Sequence, residues 1–263
     1  MKPALKFCLF LLIGLLIACK TSSPPQDRIT LTVSAAANLN EVFPQIRERW
    51  QEETGHSIAF NFGSTGQLAQ QIERGAPIDL FAAANRHVIE DLDRKGLIES
   101  ETKALYAIGQ IILWQRPESA LEITTLEDLL KPEIQRIALA NPDHAPYGVA
   151  AREALQTLGL WDILQPKLIY GENVRQAQYY AETGNVDVAI TALSLSIGKP
   201  GQWVLIPADL HQPLEQMLAL PKNAPHPQEA REFASFIKGE QGRVLMEQYG
   251  FTMPEESEVR SQD

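Results

Sequence analysis

The sequence is poor in cysteine, with two in 263 residues, Cys8 and Cys19. Beyond Cys19 there is none, which excludes a disulfide framework, a thiolate metal site and a thiol nucleophile from the rest of the chain. After the first nineteen residues no apolar run approaches the length of a membrane-crossing helix. Positive charge is also scarce: 23 Lys and Arg stand against 33 Asp and Glu, for a net charge of −10. An acidic surface disfavours nucleic acid and anionic lipid headgroups as partners. The histidines His56, His87, His144, His211 and His226 are scattered, with no pair at i and i+4 to grip a metal. Gly63-Ser64-Thr65-Gly66 lacks the Lys and length of a phosphate loop and the G-x-S-x-G spacing of a hydrolase elbow. Asp79 and Asp187 stand at the beginnings of expected strands, the wrong end for a catalytic site in an open sheet. These absences argue against an enzyme, a resident metal or a cofactor.

The chain begins with a targeting pattern. Lys2 and Lys6 precede an uncharged apolar run over residues 7–18, the length of a signal-peptide core. The run ends Leu16-Ile17-Ala18-Cys19, which resembles the lipobox of bacterial lipoproteins, in which the Cys carries the lipid. Residues 1–19 are therefore expected to be a lipoprotein signal with its anchor at Cys19, and 20–27 a flexible tether. The expected location is extracytoplasmic, lipid-anchored to a membrane. Losing Lys2 and Lys6 with the signal takes the charge from −10 to −12.

The rest alternates strand-like and helix-like segments. Strands are expected at 29–36, 57–62 and 78–83, and helices at 39–50, 67–74 and from Asn85 as cap to Lys95. Pro44 is tolerable only in a first turn, so the first helix kinks or begins late. The pattern restarts with strands at 108–114, 135–140, 167–170 and 186–192 and helices at 147–158 and 174–183. Segments 203–206 and 216–220 are read as returning to the first lobe, before helices at 228–238 and 240–249. Such alternation implies an α/β protein with two mixed, mainly parallel sheets flanked by helices. The expected division is lobe I over 28–107 and 216–254, lobe II over 108–215, and an acidic tail over 255–263.

In open sheets of this kind ligands bind beyond the carboxyl ends of strands, where helices begin. Four junctions qualify: Ser34-Ala35-Ala36-Ala37-Asn38-Leu39, Gly63-Ser64-Thr65-Gly66-Gln67, Asn141-Pro142-Asp143-His144-Ala145-Pro146-Tyr147-Gly148 and Gly171-Glu172-Asn173-Val174. Each offers the free N–H groups and the positive dipole end of a helix start. None contains Lys or Arg, and Arg175, on a helix, should point away. Local dipoles act over a few ångströms, whereas surface carboxylates are screened over ~8–10 Å, so an acidic protein can hold an anion this way.

These blocks resemble the periplasmic molybdate-binding proteins of ABC transporters. Thr32-Val33-Ser34-Ala35-Ala36-Ala37-Asn38-Leu39, Phe62-Gly63-Ser64-Thr65-Gly66-Gln67-Leu68-Ala69, Gly75-Ala76-Pro77-Ile78-Asp79-Leu80-Phe81-Ala82, the Asn141–Gly148 junction and Tyr249-Gly250-Phe251 carry the likeness, in order. The resemblance implies a two-lobed type II binding-protein fold with the ligand in the interlobe cleft. It implies a dehydrated molybdate or tungstate held by neutral donors: side chains of Asn38 and Thr65 with Ser64 beside it, and main-chain N–H groups of Tyr147 and Val174. It implies as partners a permease and its ATPase, served by a monomeric binding protein. Two departures stand out. Asn38 replaces a frequent Ser, and Ala192 stands where the family often has a Tyr hydroxyl. A binder of sulfate, phosphate or a small organic anion is the alternative. Asp143 and Glu172 are potential acceptors for the proton of a phosphate, whereas a carboxylate binder would bring an Arg into the cleft.

Overall fold

The computed structural model describes residues 28–254; the expected signal segment, Cys19, the tether and the acidic tail lie outside the described residues. Two five-stranded sheets organise the rest. The first is built from β1 (Thr30–Ala36), β2 (Ser57–Gly63), β3 (Leu80–Ala83) and β4 (Ala104–Gly109), with helices α1 (Val42–Thr54), α2 (Thr65–Glu73) and α3 (Arg86–Arg94) between them. The second contains β5 (Ile111–Gln115), β6 (Ile137–Ala140), β7 (Leu168–Gly171), β8 (Val188–Ala192) and β9 (Gln202–Leu205). Its helices are α4 (Pro146–Thr157), the short α5 (Trp161–Leu164) and α6 (Val174–Glu182). The chain then returns through β10 (Leu214–Ala219) to the first sheet and ends in α7 (Pro227–Lys238) and α8 (Glu240–Gln248).

The sheets share one plan. Their orders are β2-β1-β3-β10-β4 and β7-β6-β8-β5-β9. In each, three parallel strands are followed by a fourth that runs antiparallel to both its neighbours, and this fourth place is taken by a strand that has just crossed from the other lobe. The inner parallel strands β3, β6 and β8 are buried along their whole length, which explains their continuous apolar sequences. Against the first sheet, Trp50 of α1 packs on Phe233 of α7 with ring centroids 5.2 Å apart, fixing the last helices to this lobe.

Asp79 and Asp187 prove to be pins at the strand entries. Asp79 Oδ2 accepts from the Thr32 N–H at 2.7 Å, and Asp187 Oδ2 accepts from the Gln135 and Arg136 N–H groups at 2.9 Å each. The cap expected at Asn85 is present, its side chain accepting from the Val88 N–H.

Two expectations are corrected, and the late start expected of the first helix is seen. The single strand expected over 108–114 is two: β4 pairs Gly109 with Leu214 in the first sheet, and β5 pairs Ile111 with Ala192 in the second, leaving Gln110 as the crossing residue. The run reads as continuous because both cores are apolar. Segment 203–206 does not return to the first lobe; Trp203 pairs with Trp114 of β5, and only β10 goes back. The first junction opens a three-residue 3-10 turn, Ala37–Leu39, and α1 starts late, at Val42, so that Pro44 falls in its first turn. The crossings at Gln110 and just before Leu214 lie two residues from the lobe boundaries expected at 107/108 and 215/216.

Candidate functional site

All four junctions meet at one small cavity between the lobes. It is lined by Ala36, Ala37 and Asn38, by Gly63, Ser64 and Thr65, by Ala84, by Ala145, Pro146 and Tyr147, and by Asn173 and Val174. Its volume is about 10 Å³, far below the roughly 300–1,000 Å³ of pockets that take drug-sized ligands. The five residues singled out from sequence are brought together and buried: Asn38 1%, Ser64 3%, Thr65 0%, Tyr147 3% and Val174 3% exposed. No side chain of the lining carries a charge. Asp143 and Glu172 are exposed and line no part of it. Arg175 turns back along its helix to Glu182 at 2.9 Å, and Arg86, at the end of the third strand, is held by both carboxylate oxygens of Glu215 at 2.7 Å.

Lobe I contributes side chains. Asn38 sits in the 3-10 turn, and its Nδ2 donates to Gln216 Oε1 at 2.9 Å. Gln216 Nε2 donates to the Leu214 carbonyl at 2.7 Å, so the Gln216 oxygen must face Asn38 and the Asn38 amide orientation follows. One of the two amide hydrogens expected for a ligand is thereby committed. Gln216 is fully buried on β10, where a register shift between Gln216 and Met217 marks a bulge. Bulges re-aim side chains in this way. Ser64 is the cap residue of α2, yet its hydroxyl makes no capping bond and reaches His144 Nδ1 at 2.9 Å. Thr65 Oγ1 accepts from the Ala84 N–H at 3.1 Å, which leaves its own O–H free to donate.

Lobe II contributes main chain. Tyr147 and Val174 lie in the first turns of α4 and α6, where an N–H has no carbonyl four residues back within the helix. Pro146 at the first position of α4 suits a place where no N–H is required. Asn173 caps its own helix, accepting from the Gln176 N–H at 3.0 Å, and so spends its side chain locally. The Tyr147 hydroxyl is buried, as is that of Tyr106. Burial drives both phenols far above their ordinary pKa, with nearby Asn38 opposing the shift at Tyr147, so both stay neutral. Tyr147 Oη and Asn38 Oδ1 are both buried, and the two side chains lie against each other, so that neither needs a further protein partner. At the place of the missing Tyr, Ala192 is fully buried, and the neighbouring Thr191 hydroxyl is engaged by Gln178 Oε1 at 3.1 Å.

The lobes touch across the cleft. The Gly66 N–H donates to the His144 carbonyl at 3.0 Å, Ser194 Oγ donates to the Asn38 carbonyl at 2.7 Å, and Lys199 pairs with Glu41 at 2.5 Å. Gly66 is needed there: a Cβ would come within 2.8 Å of the His144 oxygen. Gln216, Ala84, Ser194 and the latching role of His144 were not foreseen. The polar pair Glu215-Gln216 inside the otherwise apolar 214–219 strand was the available signal for Gln216.

A profile of the bacterial extracellular solute-binding protein family matches residues 31–252. The molybdate-binding protein ModA of Rhodobacter capsulatus is 33% identical over 220 residues, covering 83% of this chain and 86% of that one. A putative ABC transporter substrate-binding lipoprotein of Bacillus subtilis, YvgL, is 31% identical over 246 residues, 92% of this chain and 94% of that one. Among solved structures, the Azotobacter vinelandii periplasmic molybdate-binding protein superposes with a TM-score of 0.82 at 29% identity, over 86% of this chain and all of that one.

Proposed function

The chain belongs to the bacterial extracellular solute-binding proteins, and we propose that it captures molybdate, with tungstate as an equivalent ligand, for an ABC importer. The family and its curated relatives are binding proteins of transporters, not enzymes, and act outside the cytoplasm. The observation that carries the ligand assignment is the cavity wall: four helix or turn starts from two lobes converge on one small cavity without a charged side chain. A fully deprotonated tetrahedral oxyanion only accepts hydrogen bonds, and this wall offers the Thr65 and Ser64 hydroxyls, the Asn38 amide and the Tyr147 and Val174 N–H groups as donors. The names of the Rhodobacter and Azotobacter relatives support molybdate in particular. Sulfate, being smaller, would leave donors of a rigid wall unpaired at ~1–3 kcal/mol each.

Asn38 Oδ1 is the acceptor that a second reading would use, in which the anion keeps a proton, as phosphate does near neutral pH; the Tyr147 hydroxyl beside Asn38 competes for it. Calorimetry with molybdate, tungstate, sulfate and phosphate separates the two. Tight binding of molybdate and tungstate with weak sulfate and phosphate is the expected result. Phosphate binding more tightly than molybdate would overturn the assignment in favour of the second reading.

The anchor rests on Cys19 after its apolar run and is supported by the Bacillus relative's name as a lipoprotein. Cys19→Ser should release the protein from the membrane fraction, and persistence there would count against the anchor. A permease with its ATPase is the proposed receiver of the ligand, and the binding protein works as a monomer of two lobes that join at Gln110 and just before Leu214.

A further inference from the structure

The hydroxyl of Ser64 and the ring of His144 belong to different lobes, yet they share one hydrogen bond of 2.9 Å at the rim of the cavity. We infer that His144 is a positioning residue for the bound oxyanion: carrying its proton on Nδ1, it donates to Ser64 Oγ and turns the Ser64 O–H into the cavity. This rests on the reading of the cavity as an oxyanion site.

A serine hydroxyl has one hydrogen to give. If His144 Nδ1 is bare, that hydrogen is spent on the ring, and Ser64 turns an oxygen lone pair toward an anion. If Nδ1 bears the hydrogen, Ser64 accepts from the ring and its own hydrogen is free for the anion. The bound anion therefore selects the Nδ1-protonated ring. For the neutral imidazole this moves one proton from Nε2 to Nδ1 by exchange with water, with no net uptake.

The ring is held in place to do this. The Asp143 N–H bonds to Asn141 Oδ1 at 3.0 Å, and the N–H groups of His144 and Ala145 bond to the Asn141 carbonyl at 3.3 and 3.0 Å. The His144 carbonyl is gripped from the other lobe by the Gly66 N–H. Thr65 offers the contrast. Its hydroxyl is freed by the Ala84 N–H, a group of its own lobe. Thr65 is thus aligned whether or not the lobes meet, whereas Ser64 is aligned only when they do. Closure and completion of the donor set are one event.

The test uses the full binding domain and molybdate. Nitrogen-15 NMR of the imidazoles, with the His144 signal identified by its loss in His144→Asn, should show Nδ1 protonated at molybdate saturation. His144→Ala should weaken molybdate binding about five- to tenfold, and His144→Asn, whose amide can donate from nearly the Nδ1 position, should restore most of it. A bare Nδ1 in the molybdate complex, or His144→Ala binding as tightly as wild type, overturns the inference while wild-type binding leaves the oxyanion reading standing. Failure of wild-type protein to bind any of the four oxyanions removes both.

Discussion

The two lobes have the same strand plan and the same pin at the strand entry, yet they furnish the cavity by opposite means. Lobe I presents Asn38, Ser64 and Thr65, each held by a further group: Gln216, His144 and the Ala84 N–H. Lobe II presents main-chain N–H groups of helix starts, and the side chains there cap, pack or stay buried. The first half-site can be retuned by substitution and needs supporting residues. The second is written into helix geometry and is largely indifferent to which side chain sits at 147 or 174. On the proposed reading, a site built this way keeps its main-chain donors fixed in one lobe and adjusts selectivity in the other.

The comparison is broken most directly in lobe I. Asn38→Ala with Thr65→Ala removes two donors to a charged ligand, worth about 3–6 kcal/mol together. Molybdate affinity should fall by at least about a hundredfold in calorimetry, with circular dichroism unchanged. Lobe II needs a change to the backbone. Val174→Pro removes only an N–H at the first position of α6, where proline is tolerated and the preceding Asn173 is already extended. Affinity should drop about tenfold to a hundredfold, the worth of one charge-assisted hydrogen bond, while helical content stays. An unchanged affinity would show that the Val174 N–H is no donor. Gly66→Ala sets a methyl against the His144 carbonyl and holds the lobes apart. It should weaken molybdate about fivefold and leave the bound protein larger by small-angle scattering than wild type. The smallest effect is expected from Val174→Ala: affinity within about twofold of wild type, since the donor is unaltered, with melting lower by about 2–4 °C per kcal/mol of lost packing.

Much of this was legible before the coordinates. Glycines after helices, caps such as Asn85 and alternating apolar segments locate most elements within a few residues, because these are local preferences of the backbone. The five lining residues were legible through their place at strand ends and through family likeness. The breaks came where local sequence carries no information about partners. Residues 104–115 are apolar on both sides of Gln110, so nothing in the run marks where one sheet stops and the other starts. Gly109 was the one hint, and its reason is spatial: a Cβ there would strike Tyr147 Oη at 2.2 Å. Segment 203–206 fits the edge of either sheet by pattern, and pairing with β5 is a tertiary choice. Gln216 and His144 act through contacts spanning 178 and 80 residues, beyond any periodicity.

The burial of the five lining residues, none more than 3% exposed, has a kinetic meaning. On the proposed reading, an ion held among these residues enters and leaves as the lobes part about the crossings near Gln110 and Leu214. Dissociation is then a gated first-order process whose ceiling is the opening rate, whatever the strength of the individual hydrogen bonds. A receptor that pries the lobes apart sets the moment of delivery, and a free carrier loses its cargo only as often as it yawns open by itself.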